Sequence, residues 1–110
     1  MNLIFFGSPK EMRDWLEANH ESADELWVGL YKKGASKSGI TMQEALDQAL
    51  CFGWIDTKGR RIDAERWMVR FVPRRPNSNW SERNIARIEE LIAEGLMHEA
   101  GREAFERRPR

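Results

Sequence analysis

The segment from Trp54 to Val72 alternates between apolar and polar residues, and this pattern constrains the fold more than any other feature of the sequence. A period of two is typical of a β-strand. In the second half of the segment, the apolar side consists of Trp67, Val69 and Phe71. We predict one strand around residues 54–62, a turn at residues 63–65 and a return strand around residues 66–72. Pro73 ends the second strand because proline has no amide hydrogen for the ladder.

Helices are predicted on both sides of this hairpin. Two runs, Ser8–Glu11 and Thr41–Glu44, match the capping box or the related Ser-Pro start of a helix. Four segments have helical apolar spacing together with start or end signals: Ser8 to about Asn19, Thr41 to near Gly53, Asn79 or Ser81 to Gly95, and around Glu99–Arg107.

The segment Glu25–Lys32 alternates like a third strand with both faces at least partly covered, and a short apolar run at Ile4 is a candidate for a fourth. Strands and helices therefore follow one another along the whole chain. This order predicts an α+β fold, with a small, mainly antiparallel sheet of three to four strands packed by three to four helices. We expect one domain that spans residues 1–110.

The charges balance overall but are unevenly distributed. The chain has 18 Lys and Arg against 18 Asp and Glu, yet residues 1–57 carry a net charge of −4 and residues 58–110 a net charge of +4. Arginine dominates the positive half, and its planar fork suits phosphate and carboxylate groups. One interpretation is an anionic partner. The other is a solvated surface that balances the acidic half, and a homodimer remains open.

Few residues suit catalysis or metal binding. Cys51 is the only cysteine, and His20 and His98 are both distant from it in sequence, so we expect neither a catalytic thiol nor a metal site. In a Walker loop, Lys and then Ser or Thr follow the second glycine, but here Ile40 and Thr41 follow Gly39. The glycine-rich run 34–39 is therefore interpreted as a flexible connection. We predict no cofactor. A single cysteine and the absence of a signal-peptide pattern at Met1–Phe6 favour a cytoplasmic location without membrane insertion.

Two runs, Cys51–Asp56 and Arg70–Ser81, combine arginines with aromatic residues at unusual density. A guanidinium can hold a phosphate or carboxylate while a neighbouring ring stacks on a flat group. The alternative is that the tryptophans are core residues and the arginines are simply exposed. The binding candidates are Trp54, Asp56, Arg70, Arg74, Arg75, Trp80 and Asn84.

The same runs resemble the YdeI/OmpD-associated family, also called the bacteriocin-protection family. The resemblance covers Leu26–Gly34, Ala45–Asp56 with its Cys-Phe-Gly-Trp-Ile-Asp core, Arg70–Arg75, Asn79–Ser81 with Asn84, and Leu91–Gly101. Longer members of that family continue beyond this region, so the resemblance is to their N-terminal core. It implies a role in stress tolerance, including tolerance of antimicrobial peptides, and it implies no particular catalytic residue.

Three functional hypotheses follow. The first is a small non-enzymatic binding or stress-tolerance protein that holds an anionic or planar small molecule in an Arg/Trp pocket. The second is an enzyme that uses Cys51 or Asp56 in the same pocket. The third is a single-stranded nucleic-acid binding module, which is less favoured because the sequence has no zinc-finger spacing, no ribonucleoprotein motif and no strongly basic character.

Overall fold

The computed structural model describes residues 2–109 of the chain, and strands alternate with helices along them. In chain order the elements are β1 (Leu3–Ile4), α1 (Pro9–Asn19), β2 (Leu26–Tyr31), α2 (Met42–Cys51), β3 (Trp54–Arg61), β4 (Arg66–Pro73), α3 (Glu82–Ala93) and α4 (Glu99–Glu106). The four predicted helices and the predicted hairpin are all confirmed. Among these described residues, no helix is both long and apolar enough to cross a membrane.

Before each helix lies a capping residue whose side chain accepts a hydrogen bond from a backbone amide of the first turn. The first amides of a helix have no partner within it, so this bond satisfies one of them. Hydroxyl groups provide this cap for α1 and α3, at Ser8 and Ser81. At the start of α2, the Glu44 amide donates to Thr41 Oγ1 at 3.1 Å, and the Thr41 amide donates to Glu44 Oε1 at 2.9 Å. This pair of hydrogen bonds confirms the predicted capping box. The cap of α4 is His98, which the sequence did not indicate.

The sheet has the order β1-β2-β4-β3. β4 pairs antiparallel with β2 and with β3, whereas β1 pairs parallel with β2. The fold class is therefore α+β with a mixed, mainly antiparallel sheet, as predicted. The short apolar run at Ile4 forms the two-residue strand β1. A bulge between Asp56 and Lys58 shifts the register of β3 against β4.

β2 is covered on both faces, which confirms the interpretation of its two apolar sides. On one face Leu26, Val28 and Leu30 enter the core together with residues of the helices. On the other face Trp27 is only 4% exposed. Two cationic groups lie over its ring, with Lys58 Nζ 5.9 Å and the Arg60 guanidinium carbon 5.4 Å from the ring centroid. Side chains of β3 thus cover the second face of the sheet.

α4 packs directly on the end of α2. A Cβ at Gly101 would overlap the carbonyl group of Cys51, and the amide of His98 donates to that same carbonyl oxygen at 3.0 Å. Gly53 has a φ of +76°, and a Cβ there would lie 2.9 Å from the Cβ of Ala104. This close backbone contact brings α4 to the place where β4 ends, because the Arg74 amide donates to the Gly53 carbonyl.

Candidate functional site

Arg74 follows β4 directly, and the loop that leads to α3 closes around its side chain. The backbone amide of Arg74 donates to the Gly53 carbonyl at 2.9 Å, which fixes the start of the loop. Its guanidinium carbon lies 3.7 Å from the centroid of the Trp80 ring. Nη1 donates to Ser78 Oγ and to the Asn79 carbonyl, each at 3.2 Å. The guanidinium is therefore stacked and oriented by its own loop.

The positive charge of Arg74 is poorly compensated. Its Nε is buried and has no hydrogen-bond partner, and the ion pairs formed within residues 2–109 do not include it. Burial lowers the pKa of this guanidinium, and the negative charge of Asp56 opposes the decrease. A cation that has lost water without gaining a carboxylate costs free energy, and a bound anion would reduce that cost.

Arg74 lines a small cavity of about 90 Å³ together with two further arginines. The lining residues are Arg74, Arg75, Pro76, Trp80, Ala104 and Arg107, and we call this cavity the arginine pocket. The ring of Phe105 packs edge-on against Trp80, with the centroids 5.7 Å apart. The charged side chains that line the pocket are all guanidinium groups, among the residues described here. The pocket is therefore suited to a small anion.

Arg107 was not among the sequence candidates. It lies at the C-terminal end of α4 and reaches the arginine pocket only because Gly101 allows α4 to pack against α2. No local motif marks this contact, since the residues that create it lie far apart in sequence. The small residues at positions 53 and 101 are the signal that could have indicated it, because glycine permits two backbones to approach closely.

The structure places two predicted site residues away from the arginine pocket. Trp54 is 1% exposed and packs edge-on against Trp15, with ring centroids 6.1 Å apart, so it is a core residue. Arg70 forms an ion pair with Glu25, with 2.6 Å between Nε and Oε1. That contact lowers the pKa of the Glu25 carboxyl, chiefly through the hydrogen bond from the guanidinium. Arg70 is thus already paired with a carboxylate.

The remaining two candidates differ in their relation to the pocket. Asp56 is half-buried near the start of β3, and it influences Arg74 through its charge. Asn84 lies in a different depression, between α2 and α3, which is also lined by Gln43 and Arg87. The predicted set is therefore divided: Arg74, Arg75 and Trp80 line one pocket, whereas Trp54, Asp56, Arg70 and Asn84 do not.

The environment of Cys51 does not favour a nucleophile. Burial raises the pKa of its thiol, although Arg13 opposes this through a hydrogen bond and its charge. His20 and His98 are close to each other, with ring centroids 5.0 Å apart, and both contact Phe52. Each Nδ1 already has a backbone hydrogen-bond partner, which is the Leu16 carbonyl for His20 and the Ala100 amide for His98. Among the described residues, no group of three or more His, Cys, Asp or Glu side chains could hold a metal ion.

We expect Cys51 to be unreactive in the folded protein, because thiol reactivity needs both exposure and a thiolate. Iodoacetamide at pH 7 should alkylate it on the order of 100-fold more slowly than an exposed cysteine. The internal reference is the variant Ser22→Cys, whose site lies in an exposed turn after α1. Mass spectrometry of the two peptides gives both rates in one sample. Equal rates would restore Cys51 as a candidate nucleophile.

Comparison with known proteins identifies one family. The family described as "Domain of unknown function (DUF8412)" matches residues 4–104, which include every element of the fold except the first residue of β1 and the end of α4. The comparisons with curated proteins and with solved structures found no match.

Proposed function

We propose that this chain, which belongs to the DUF8412 family, is a binding protein that holds a small oxyanion or the acidic group of a small molecule in the arginine pocket. The observation that carries the proposal is the half-buried guanidinium of Arg74, whose Nε has no partner. A phosphate or carboxylate oxygen accepts hydrogen bonds from such a fork and offsets its charge. Arg75 and Arg107 extend the positive lining toward solvent, where Arg107 also forms an exposed ion pair with Glu103, with 3.6 Å between Nη2 and Oε2.

The size of the pocket limits what it can hold. A volume of about 90 Å³ accommodates a phosphate or a carboxylate group but not an entire nucleotide. The rest of a larger ligand would extend into solvent past Arg75 and Arg107, which are both exposed. Trp80 supports this geometry because the Arg74 guanidinium lies over its ring, which favours one position of the positive charge.

The resemblance to the YdeI/OmpD-associated family adds a proposed context, in which anion binding serves tolerance of antimicrobial peptides or other stress. Bacteriocin protection, a cytoplasmic location and a homodimer all remain predictions. The nucleic-acid hypothesis also remains a prediction, since guanidinium groups contact nucleic-acid phosphates as readily as small anions. The enzyme hypothesis loses support at Cys51, whose thiol is buried with a raised pKa.

Inorganic phosphate should stabilise the folded protein if the arginine pocket binds oxyanions. Thermal unfolding is measured while phosphate replaces chloride at constant ionic strength, so that general screening is unchanged. At 100 times the dissociation constant, the stabilisation should approach about 2.7 kcal/mol. The double variant Arg75→Gln/Arg107→Gln should weaken phosphate binding about tenfold, because two charged donors are lost.

The matched control is Arg102→Gln, which removes an exposed positive charge from the same helix outside the pocket lining. This variant should bind phosphate within twofold of the unaltered protein. Equal phosphate stabilisation in the double variant would place the anion elsewhere. No stabilisation at 50 mM phosphate would remove the proposal.

A further inference from the structure

A second and much larger cavity lies at the opposite end of β4 from Arg74. Its volume is about 850 Å³, and it opens between the β2–α2 loop and the tip of the β3–β4 hairpin. Pockets of roughly 300–1,000 Å³ are typical of sites that enclose small organic molecules. β4 spans eight residues, so its two ends are separated by roughly 23 Å at the rise of a β-strand. The two cavities are therefore distinct sites.

The lining of this cavity combines apolar and positively charged side chains. Its apolar and aromatic members are Leu30, Tyr31, Ala35, Ile40, Met42 and Trp67, of which Leu30 and Ile40 are buried. Its positively charged members are Lys32, Lys33, Lys37, Arg60 and Arg61, and we call this cavity the basic cleft. Within the described chain, none of its lining residues is an Asp or a Glu.

The charges of the basic cleft are not neutralised by ion pairs. The salt bridges formed within residues 2–109 include none of its five positively charged residues. Arg61 Nε donates to the carbonyl of Asp63 and not to its carboxylate. At the start of α2, the Thr41 amide already donates to the Glu44 carboxylate, and the Thr41 hydroxyl oxygen accepts from the Glu44 amide. Arg60 lies over the Trp27 ring, whereas the lysines and Arg61 form no ion pair within residues 2–109 and remain available to an anion.

Hydrogen bonds hold the two walls of the cleft together. The Lys32 amide donates to the Glu65 carbonyl at 2.8 Å, and the amide and hydroxyl of Ser36 donate to the Glu65 carboxylate at 3.3 and 3.4 Å. On the other side of the loop, the Ile40 amide donates to the Phe6 carbonyl at 3.0 Å. The loop is thus anchored at its start, middle and end. A preformed wall lowers the entropic cost of binding.

We propose that the basic cleft binds a small molecule with a flat apolar body and at least one acidic group. The body would lie against Trp67 and the neighbouring apolar residues, while the acidic group would meet Lys37 and Arg61. This division matches the chemistry of the lining, because an apolar surface selects the body and unpaired cations select the charge. The proposal does not depend on anion binding in the arginine pocket.

AMP and adenosine form a matched pair of probes, since both carry the same flat base and only AMP is acidic. Isothermal titration calorimetry should detect AMP binding, and adenosine should bind at least tenfold more weakly. The double variant Lys37→Gln/Arg61→Gln should weaken AMP binding about tenfold and leave adenosine binding within twofold. Trp67→Leu should weaken both ligands, because base–aromatic stacking contributes to each.

Two reference variants separate this site from the arginine pocket. Arg75→Gln/Arg107→Gln and Arg102→Gln should both keep AMP affinity within twofold. The proposal is overturned if AMP fails to bind at 10 mM, or if its binding is lost in Arg75→Gln/Arg107→Gln and kept in Lys37→Gln/Arg61→Gln. It is also overturned if a 20-nucleotide single strand binds the cleft at least 100-fold more tightly than AMP at 0.15 M salt, because the site would then be a nucleic-acid interface.

Discussion

Replacement of Trp54 by alanine is expected to lower the free energy of unfolding by about 4 kcal/mol. The side chain is 1% exposed, begins β3 and packs against Trp15 inside the core. Its removal would leave a large cavity that the surrounding strands and helices could fill only in part. Urea denaturation measures the loss as a shift of the midpoint at an unchanged slope.

Trp80→Ala is the informative comparison for Trp54→Ala, because sequence reasoning grouped the two tryptophans in one pocket. Trp80 is half-buried, so its loss should cost about 2 kcal/mol, less than the loss of Trp54. It should also weaken phosphate binding, since Arg74 would lose the ring on which it stacks. Trp54→Ala should leave phosphate affinity unchanged at temperatures where the protein stays folded. If Trp54→Ala lowered the free energy of unfolding by less than about 1 kcal/mol, the core position of Trp54 would be contradicted.

The predictions that succeeded depend on local sequence. A capping residue and the spacing of apolar side chains fix a helix start within a few residues, as at Thr41. The second strand of the hairpin was equally predictable from the sequence. Alternation of apolar and polar residues begins at Arg66, and the proline at position 73 marks the end of the strand. The parallel pairing of β1 was not predictable, since two residues at Leu3–Ile4 contain too little pattern to specify a partner strand.

Among the candidate site residues, only those whose contacts are local line one pocket together. Arg74 and Trp80 are six positions apart and meet because one loop joins them. Arg107 joins them through helix packing, and the contact between His20 and His98 is likewise tertiary. Trp54 and Arg70 are residue types common in binding sites, but Trp54 lies in the core and Arg70 is paired with Glu25. The composition of a run does not determine which side chains face the same cavity.

The basic cleft illustrates the same limit from the other direction. The sequence predicts that the loop 34–39 is a flexible connection, because it lacks a phosphate-binding motif. In the structure, Ser36 of this loop is bonded to Glu65 of the hairpin turn. Lysines that precede α2 and arginines of β3 therefore line one cavity. A hydrogen bond between residues 29 positions apart, such as that of Ser36 with Glu65, leaves no periodic signal in the sequence. Only the folded chain reveals it.

Gly101→Ala is expected to destabilise the protein by about 3 kcal/mol, even though alanine is the better helix former. Helix propensity alone would favour alanine by roughly 1 kcal/mol. The added Cβ, however, would overlap the Cys51 carbonyl and lie 2.9 Å from the Leu50 carbonyl oxygen. These atoms belong to the backbone at the end of α2, so they cannot move aside as a flexible side chain could.

The same substitution should also weaken phosphate binding in the arginine pocket, because α4 carries Ala104 and Arg107 to it. Amide hydrogen exchange should show α4 losing protection before α2 does, since the new contact pushes α4 away from the core. Gly95→Ala is the control. Gly95 has a φ of +73°, but a Cβ added there would meet no atom of the surrounding structure within 4 Å, so its replacement should cost roughly 1–2 kcal/mol from backbone strain alone and leave phosphate binding intact. If Gly101→Ala were instead stabilising, with phosphate affinity unchanged, α4 would not be packed on the Cys51 carbonyl, and the arginine pocket would lose the helix that completes it.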